Sequence, residues 1–337
     1  MARAVDHPSI SAHASPPIID GYEFIRLLGA GGMGAVWEAQ RHRYHRNFAI
    51  KVCYATDPKS VERFIQEAAW QTRIGPPHVP EMYEQRSLTT GQRFLAMEKL
   101  TGVQLSYELE SISAPPLRDR IAEVARAIFS SLEAIHAYGV VHCDLKPENI
   151  FLSRSSPCFA TIIDFGLARS WKHPMADALA GGTAEYMAPE QHNDASQIDR
   201  RTDLYAVGLL LYELFTLRLP FTGEAKELEY AHQNLRPPPP SRFAPVPQAI
   251  EDVIFCALSK EPGRRYRDLG QLQERFELAL RSTASFRVEA GREITAKSAK
   301  LDKQRMVLVY FRSRTTQAQL STLLQSFGGH LAHASGA

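Results

Sequence analysis

Six residues near the start, Gly29-Ala30-Gly31-Gly32-Met33-Gly34, include four glycines and lie between two stretches that alternate apolar and polar residues. The stretches are Tyr22–Leu28 and Ala35–Ala39, and a third, Phe48–Val52, follows. A turn this rich in glycine lets backbone N–H groups come close to a polyphosphate. The same spacing also opens dinucleotide-binding folds. There it follows a buried strand, starts a helix and is followed about 20 residues later by an acid for the ribose. Asp57 lies near that distance, so the second reading has some support. The intervening residues weigh against it, because they alternate with a period of two and show no helical repeat. The pattern predicts antiparallel strands joined by a glycine turn.

The period then changes. Lys59–Ile74 carries Val61, Phe64, Ile65, Ala68 and Ala69 on one side, and Gly75-Pro76-Pro77 ends this helix. Arg93–Glu98 reads as another strand, and Gly102 is placed to act as a hinge. Beyond it the chain turns helical, with helices at Leu117–Tyr138, Asp203–Leu217 and Asp268–Arg281. The proline run Pro237–Pro240 sits inside this helical block and reads as a stiff connector. The expected architecture is α+β. A small β-rich lobe with one helix spans 20–101, and a larger, mainly helical lobe spans 102–281. A ligand cleft between them is the default expectation. Residues 1–19 read as a disordered lead-in and 282–304 as a linker. Within 305–337, a strand at Met306–Phe311 and a helix at Thr316–Phe327 read as the start of a further domain or a tail.

Composition removes several function classes. A chain of 337 residues can bury a core large enough to need no disulfide or metal. Its net charge of +2 gives no bulk electrostatic reason to expect nucleic acid or a membrane surface as partner. Met1–Pro17 lacks an apolar core, so it does not read as a signal peptide. The most apolar stretch, Leu204–Leu214, carries Glu213 and is too short to span a bilayer. Cys53, Cys143, Cys158 and Cys256 form no C-x-x-C pair, as expected of a reduced, cytoplasmic compartment.

Chemistry concentrates in three places. Lys51 lies inside a half-buried strand, which is costly unless it meets an anion, and Glu67 on the next helix is the evident partner. Val141-His-Cys-Asp144-Leu-Lys146-Pro-Glu-Asn149 packs an acid, a base and an amide into one irregular stretch. Asp164 follows an apolar strand and precedes Phe165-Gly166. Asp164 and Asn149 offer the oxygen ligands a hard cation such as Mg²⁺ takes, with phosphates and water completing the shell.

Together these motifs resemble those of the bacterial eukaryote-like Ser/Thr group of protein kinases, in order and over about residues 21–280. The resemblance implies a bilobal protein kinase fold, ATP and Mg²⁺ as cofactors, and transfer of the γ-phosphate to serine or threonine hydroxyls of protein substrates. It implies that Leu28, Gly29, Ala30, Gly31, Gly32, Met33 and Gly34 cover the nucleotide. Lys51 would contact the α- and β-phosphates while pairing with Glu67. Adenine would lie between Leu28, Val36 and Ala49 above and Phe151 below, with Met97 as gatekeeper and the backbone of Glu98 and Leu100 at the base edge. Asp144 would accept or orient the substrate hydroxyl proton, Lys146 would steady the γ-phosphate, and Asn149 and Asp164 would hold the metal. Gly182–Glu190 resembles the peptide-docking segment, which small-molecule kinases of similar fold generally lack. Thr183 resembles the threonine that bonds the catalytic aspartate and lysine. Structural partners also match, namely Glu190 with Arg265, and Asp203 beneath the catalytic loop.

The chain departs from the family pattern at three positions. Cys143 stands where regulated members carry arginine, Gln71 where the helix usually has an apolar residue, and Lys99 at a hinge position that is commonly aromatic. Cys143 and Gln71 are the support for an alternative, a catalytically weak kinase-like scaffold that binds nucleotide. Cys143 reads as inert packing in the core, with oxidative control through its thiol as the secondary reading. In members with the arginine, it binds a phosphate on the activation loop. Cys143 cannot, and between Gly166 and Gly182 the sole hydroxyl residue is Ser170. Activity is therefore expected not to depend on phosphorylation of that loop. Phosphatase-treated enzyme should keep most of its rate and Ser170→Ala should be near neutral; a large loss in either assay refutes this.

Overall fold

The computed structural model describes residues 16–282, apart from 32–33, 42–45, 89–90, 172–181 and 194. The chain divides into two units, Met1–Leu280 and Arg281–Ala337. The expected linker at 282–304 and the strand and helix within 305–337 lie outside the described residues, except that residue 282 is helical.

The small lobe is one antiparallel sheet and one helix. Its strands are β1 (Tyr22–Gly31), β2 (Gly34–Arg41), β3 (Asn47–Cys53), β4 (Met82–Ser87) and β5 (Arg93–Glu98), in the order β1-β2-β3-β5-β4. Alternation sorts the side chains cleanly. Trp37, Ala39, Phe48, Ile50, Val52, Phe94 and Ala96 form one cluster with Tyr22, whose ring meets Phe48 edge-on at 5.9 Å. Ala49, Cys53, Leu95 and Met97 face the other way and pack on Phe64 and Ala68 of α1 (Pro58–Ile74), with Val36 beside them. Ile19 is 3% exposed and belongs to the first cluster. This corrects the lead-in boundary, because Ile19 is apolar and the Tyr22 N–H donates to its carbonyl, folding the chain back onto the sheet.

Asp57 also has a structural role. It is the N-cap of α1, accepting from the Ser60 N–H at 2.9 Å, with Pro58 in the first turn. The ribose-acid reading of Asp57 fails for that reason, and because β2 and β3, not a helix, follow the glycine turn.

The large lobe starts with β6 (Val103–Gln104), α2 (Leu105–Glu110) and α3 (Arg118–Ala137). Short strands follow: β7 (Val140–Val141), β8 (Ile150–Leu152), β9 (Ala160–Ile162) and β10 (Arg169–Ser170). β6, β8 and β9 form a small sheet, and β7 pairs with β10. Then come α4 (Pro189–Asn193), α5 (Arg200–Thr216), α6 (Ala225–Asn234), α7 (Gln248–Ala257) and a last helix, α8, over 269–282. Between α6 and α7, Pro237 and Pro240 are buried, in keeping with a stiff connector. None of the described helices is long and apolar enough to cross a membrane.

α5 is the pillar of this lobe, buried along nearly its whole length among α3, α7 and α8. The Glu190–Arg265 pair is bidentate at 2.7 Å and almost completely buried, and Thr202 of α5 adds a hydrogen bond to the same carboxylate. It anchors α4 to the chain between α7 and α8. Gly208 lets α5 approach α7, since a Cβ there would lie 2.9 Å from both the Ala257 Cβ and a Leu258 methyl. Gly208→Ala is therefore expected to destabilise the chain by about 1–3 kcal/mol despite its better helix propensity. Urea unfolding reads this as a lower midpoint at unchanged slope; a higher midpoint refutes it.

Candidate active site

The sheet face that meets α1 carries Lys51, which continues the series Ala49, Lys51, Cys53. The helix turns Glu67 towards it along with Phe64, Ala68 and Gln71. Lys51 Nζ donates to both Glu67 oxygens at 2.7 Å and to Asp164 Oδ1 at 3.1 Å. Burial works against the ammonium, but the Asp164 and Glu67 carboxylates outweigh it and hold the Lys51 pKa above its usual value. Asp164 is depressed to about 2, chiefly by the Lys51 charge. Glu67 is raised, because burial outweighs the pull of Lys51. The lysine thus links strand, helix and the segment after β9.

The second cluster surrounds Asp144. Its Oδ1 accepts the Thr183 N–H at 3.1 Å, and its Oδ2 lies 3.1 Å from Lys146 Nζ. Lys146 also donates to the Thr183 hydroxyl. Asn149 Nδ2 donates to the Asp144 carbonyl at 2.8 Å and to Oδ2 at 3.3 Å. Asp203, at the start of α5, holds the loop from below. It accepts the backbone N–H groups of His142 and Cys143 at 2.8 and 2.9 Å and bonds His136 Nε2 at 2.8 Å. Burial alone would raise its pKa, but these bonds, that of His136 first, hold it below the usual carboxylate value.

His142 joins the two clusters. Its Nδ1 accepts the Asp144 N–H at 3.3 Å, so the proton sits on Nε2, which donates to the Ile163 carbonyl at 3.0 Å. Its ring meets Phe165 edge-on at 5.0 Å. Cys143 and Asp164 both have φ of +65°, a left-handed backbone that costs a non-glycine residue about 1–2 kcal/mol. Sequence reasoning missed the roles of His136 and His142. Nothing in their spacing distinguishes them from ordinary core histidines.

The residues expected around adenine fall in different surroundings. Ala49 and Met97 are buried in one cluster with Val36 against it. Leu28 is 39% exposed at the rim, and Phe151 on β8 is half-buried. The Glu98 N–H already donates to the Glu81 carbonyl at 2.8 Å, so a bond from Glu98 to a base edge must come from its carbonyl. Leu100, half-buried, continues the hinge. In the glycine turn, Gly29, Ala30 and Gly31 pair with Val36, Ala35 and Gly34, while Gly32 and Met33 lie outside the described residues. Among the described residues nothing lies within 4 Å of a Cβ at Gly29 or Gly31, whereas one at Gly34 would run into the Val52 carbonyl.

A divalent cation fits the donors present. Asp164 has its Oδ1 on Lys51 and a side chain 47% exposed. Asn149 spends its amide N–H on Asp144, which leaves its carbonyl oxygen as a ligand. No group of three or more His, Cys, Asp or Glu residues is placed to hold a metal among the described residues. One carboxylate and one amide oxygen suit a cation that takes its remaining ligands from phosphates and water.

Residues 22–275 match the protein kinase domain family, and the chain belongs to it. It is 37% identical over 269 residues to the Ser/Thr protein kinase Pkn1 of Myxococcus xanthus, covering 77% of this chain and 38% of that protein. It is 35% identical over 259 residues to PknD of Mycobacterium tuberculosis, covering 74% and 38%. The M. tuberculosis PknI kinase domain has a similar structure, with a TM-score of 0.61 at 25% identity over 80% of this chain and 100% of that one. The chain spans well under two thirds of Pkn1 and PknD.

The three departures have distinct surroundings. Gln71 is 1% exposed and its side-chain oxygen has no partner among the described residues. Lys99 pairs with Glu38. Cys143 packs with Val141 and Ile198, with Leu167 and Trp171 beside them. Burial, and then the Asp203 charge, push its thiol pKa well up, which is opposite to what a reactive cysteine needs. Iodoacetamide at pH 8 should leave Cys143 unlabelled in the folded chain and label it after denaturation. Labelling of the native protein at Cys143 would reopen oxidative control.

Proposed function

We propose that this chain is an ATP-dependent Ser/Thr protein kinase, acting in the cytoplasm on protein substrates, with Mg²⁺ as the metal. The observation that carries the reading is the simultaneous closure of two clusters, Lys51 with Glu67 and Asp164, and Asp144 with Lys146 and Thr183. Phosphoryl transfer asks for alignment and charge neutralisation more than covalent help, and these groups provide both. The glycine turn lays backbone donors along the phosphates, and Lys51, held by Glu67, grips the α- and β-phosphates. Asp144 receives the proton of the attacking hydroxyl, and Lys146 steadies the γ-phosphate. Thr183 ties this pair to the peptide-docking segment, which is why a protein hydroxyl is the preferred acceptor. Asn149 and Asp164 would hold Mg²⁺, whose chemistry is to offset the phosphate charge. Free thiols at all four cysteines suit a reducing compartment.

The scaffold alternative would need Cys143 or Gln71 to disturb the reacting groups; the Cys143 thiol faces the Val141 carbonyl, and the Gln71 side-chain oxygen has no partner among the described residues. Incorporation of labelled phosphate from ATP into a generic protein tests the proposal. Asp144→Asn should lower the rate about 10²–10⁴-fold with nucleotide binding kept. Lys51→Met should lower it about 10²–10³-fold. The fold should survive Lys51→Met, because Glu67 already has a raised pKa and can become neutral once its cation is gone. Full activity in either variant removes that residue from the mechanism; no incorporation by the parent chain favours the scaffold.

A further inference from the structure

Glu38 on β2 is a buried carboxylate that the transfer chemistry does not use, 4% exposed. Lys99 Nζ donates to its Oε1 at 2.6 Å, Asn47 Nδ2 donates to the same oxygen at 2.6 Å, and Arg26 Nε donates to Oε2 at 2.9 Å. These bonds, that of Lys99 first, hold its pKa below the usual carboxylate value against the opposing effect of burial. The four residues come from different places: Arg26 from β1, Glu38 from β2, Asn47 from β3, and Lys99 from the hinge between Glu98 and Leu100.

Topology gives this cluster its meaning. In the order β1-β2-β3-β5-β4, the hinge continues from β5, and β2 reaches β5 only across β3. β1 and β2, which carry the glycine turn, are thus the strands of that hairpin at one edge of the sheet. Lys99 bypasses β3 and reaches β2 directly, and Arg26 extends the connection to β1. By the two-residue repeat, Glu38 shares its sheet face with Val36, and Asn47 shares its face with Ala49. Val36 and Ala49 form the roof expected over adenine, so the carboxylate sits on the nucleotide side of the sheet, next along the strand from that roof.

We propose that Lys99 is a positioning residue that straps the stem of the glycine hairpin to the hinge through Glu38, fixing the height of the roof over the base. An aromatic residue at this hinge position has no such charge-assisted reach. The strap acts through Val36 and Leu28, touches no phosphate, and so sets nucleotide affinity more than turnover. Its effect on kinetics rests on the kinase reading above; its effect on the hairpin does not.

Lys99→Met should raise KM for ATP about tenfold while kcat stays within about twofold. Lys99→Arg, which keeps a cation, should restore most of the affinity. Glu38→Gln, which weakens the Asn47 and Arg26 bonds as well, should raise KM at least as far as Lys99→Met, and adding Lys99→Met to it should change KM little further, because the Lys99 link is already lost. Arg26 and Asn47 still satisfy Glu38 in Lys99→Met, so the chain should fold. Hydrogen exchange gives a readout that needs no activity: amides of 22–31 and 34–41 should exchange faster in Lys99→Met, with those of α3 and α5 unchanged. Unaltered exchange in the hairpin overturns the strap, whether or not the chain turns over ATP. An active parent whose Lys99→Met variant keeps its KM overturns it too. A parent that neither binds nor uses ATP counts against the kinase reading alone, and the exchange measurement then decides the strap.

Discussion

A carboxylate at the start of α5 holds the loop that carries Asp144 in place. Removing a carboxylate from water costs several kcal/mol unless charge-assisted hydrogen bonds replace its hydration. Asp203 is 1% exposed and has three such bonds, from His136 on α3 and from two consecutive backbone N–H groups of the loop before Asp144. Satisfying the buried charge and fixing the loop are therefore the same event. With His142 and Cys143 pinned, the next residue, Asp144, has little freedom left, and the left-handed turn at Cys143 is held against its own strain. The loop inherits its rigidity from the most deeply packed helix of the lobe.

The fixed loop supports a second level of organisation. His142 passes the position of the loop to Ile163 and Phe165, and so to Asp164, which reaches Lys51. Lys51 in turn orients α1 through Glu67. The electrostatics along this route are mutually dependent, since the same ammonium lowers the pKa of Asp164 and opposes the burial effect on Glu67. Each residue in the sequence of contacts is held by the one before it, starting from the α5 core.

Much of this could be read in the sequence. The period-two strands, the long helices α1, α3 and α5, and the acid–base spacing around Asp144 all carry strong local patterns, and the structure brings Lys51, Glu67 and Asp164 into one cluster and Asp144, Lys146, Asn149 and Thr183 into another. Short elements were less legible. α2, α6 and α7 have 6 to 10 residues each, too few turns for an apolar period to stand out. Buried polar roles were hidden for a different reason. His136 and Glu38 act through partners 67 and 61 residues away, and no local pattern encodes contacts that only the tertiary fold creates. Asp57 lay at a distance compatible with two roles, and only the capping geometry distinguishes them.

The glycine turn shows that one motif can answer to two separate kinds of selection. At Gly29 and Gly31 the space above the backbone is open among the described residues, so a methyl group there meets none of them and would be felt by a nucleotide phosphate, were one bound. At Gly34 a methyl group would run into the Val52 carbonyl of the neighbouring strand. On the proposed reading Gly29 and Gly31 answer to the nucleotide, whereas Gly34 answers to the sheet. A descendant that gave up nucleotide binding would be free to lose Gly29 and Gly31 by drift, but would keep Gly34 for as long as it kept the hairpin.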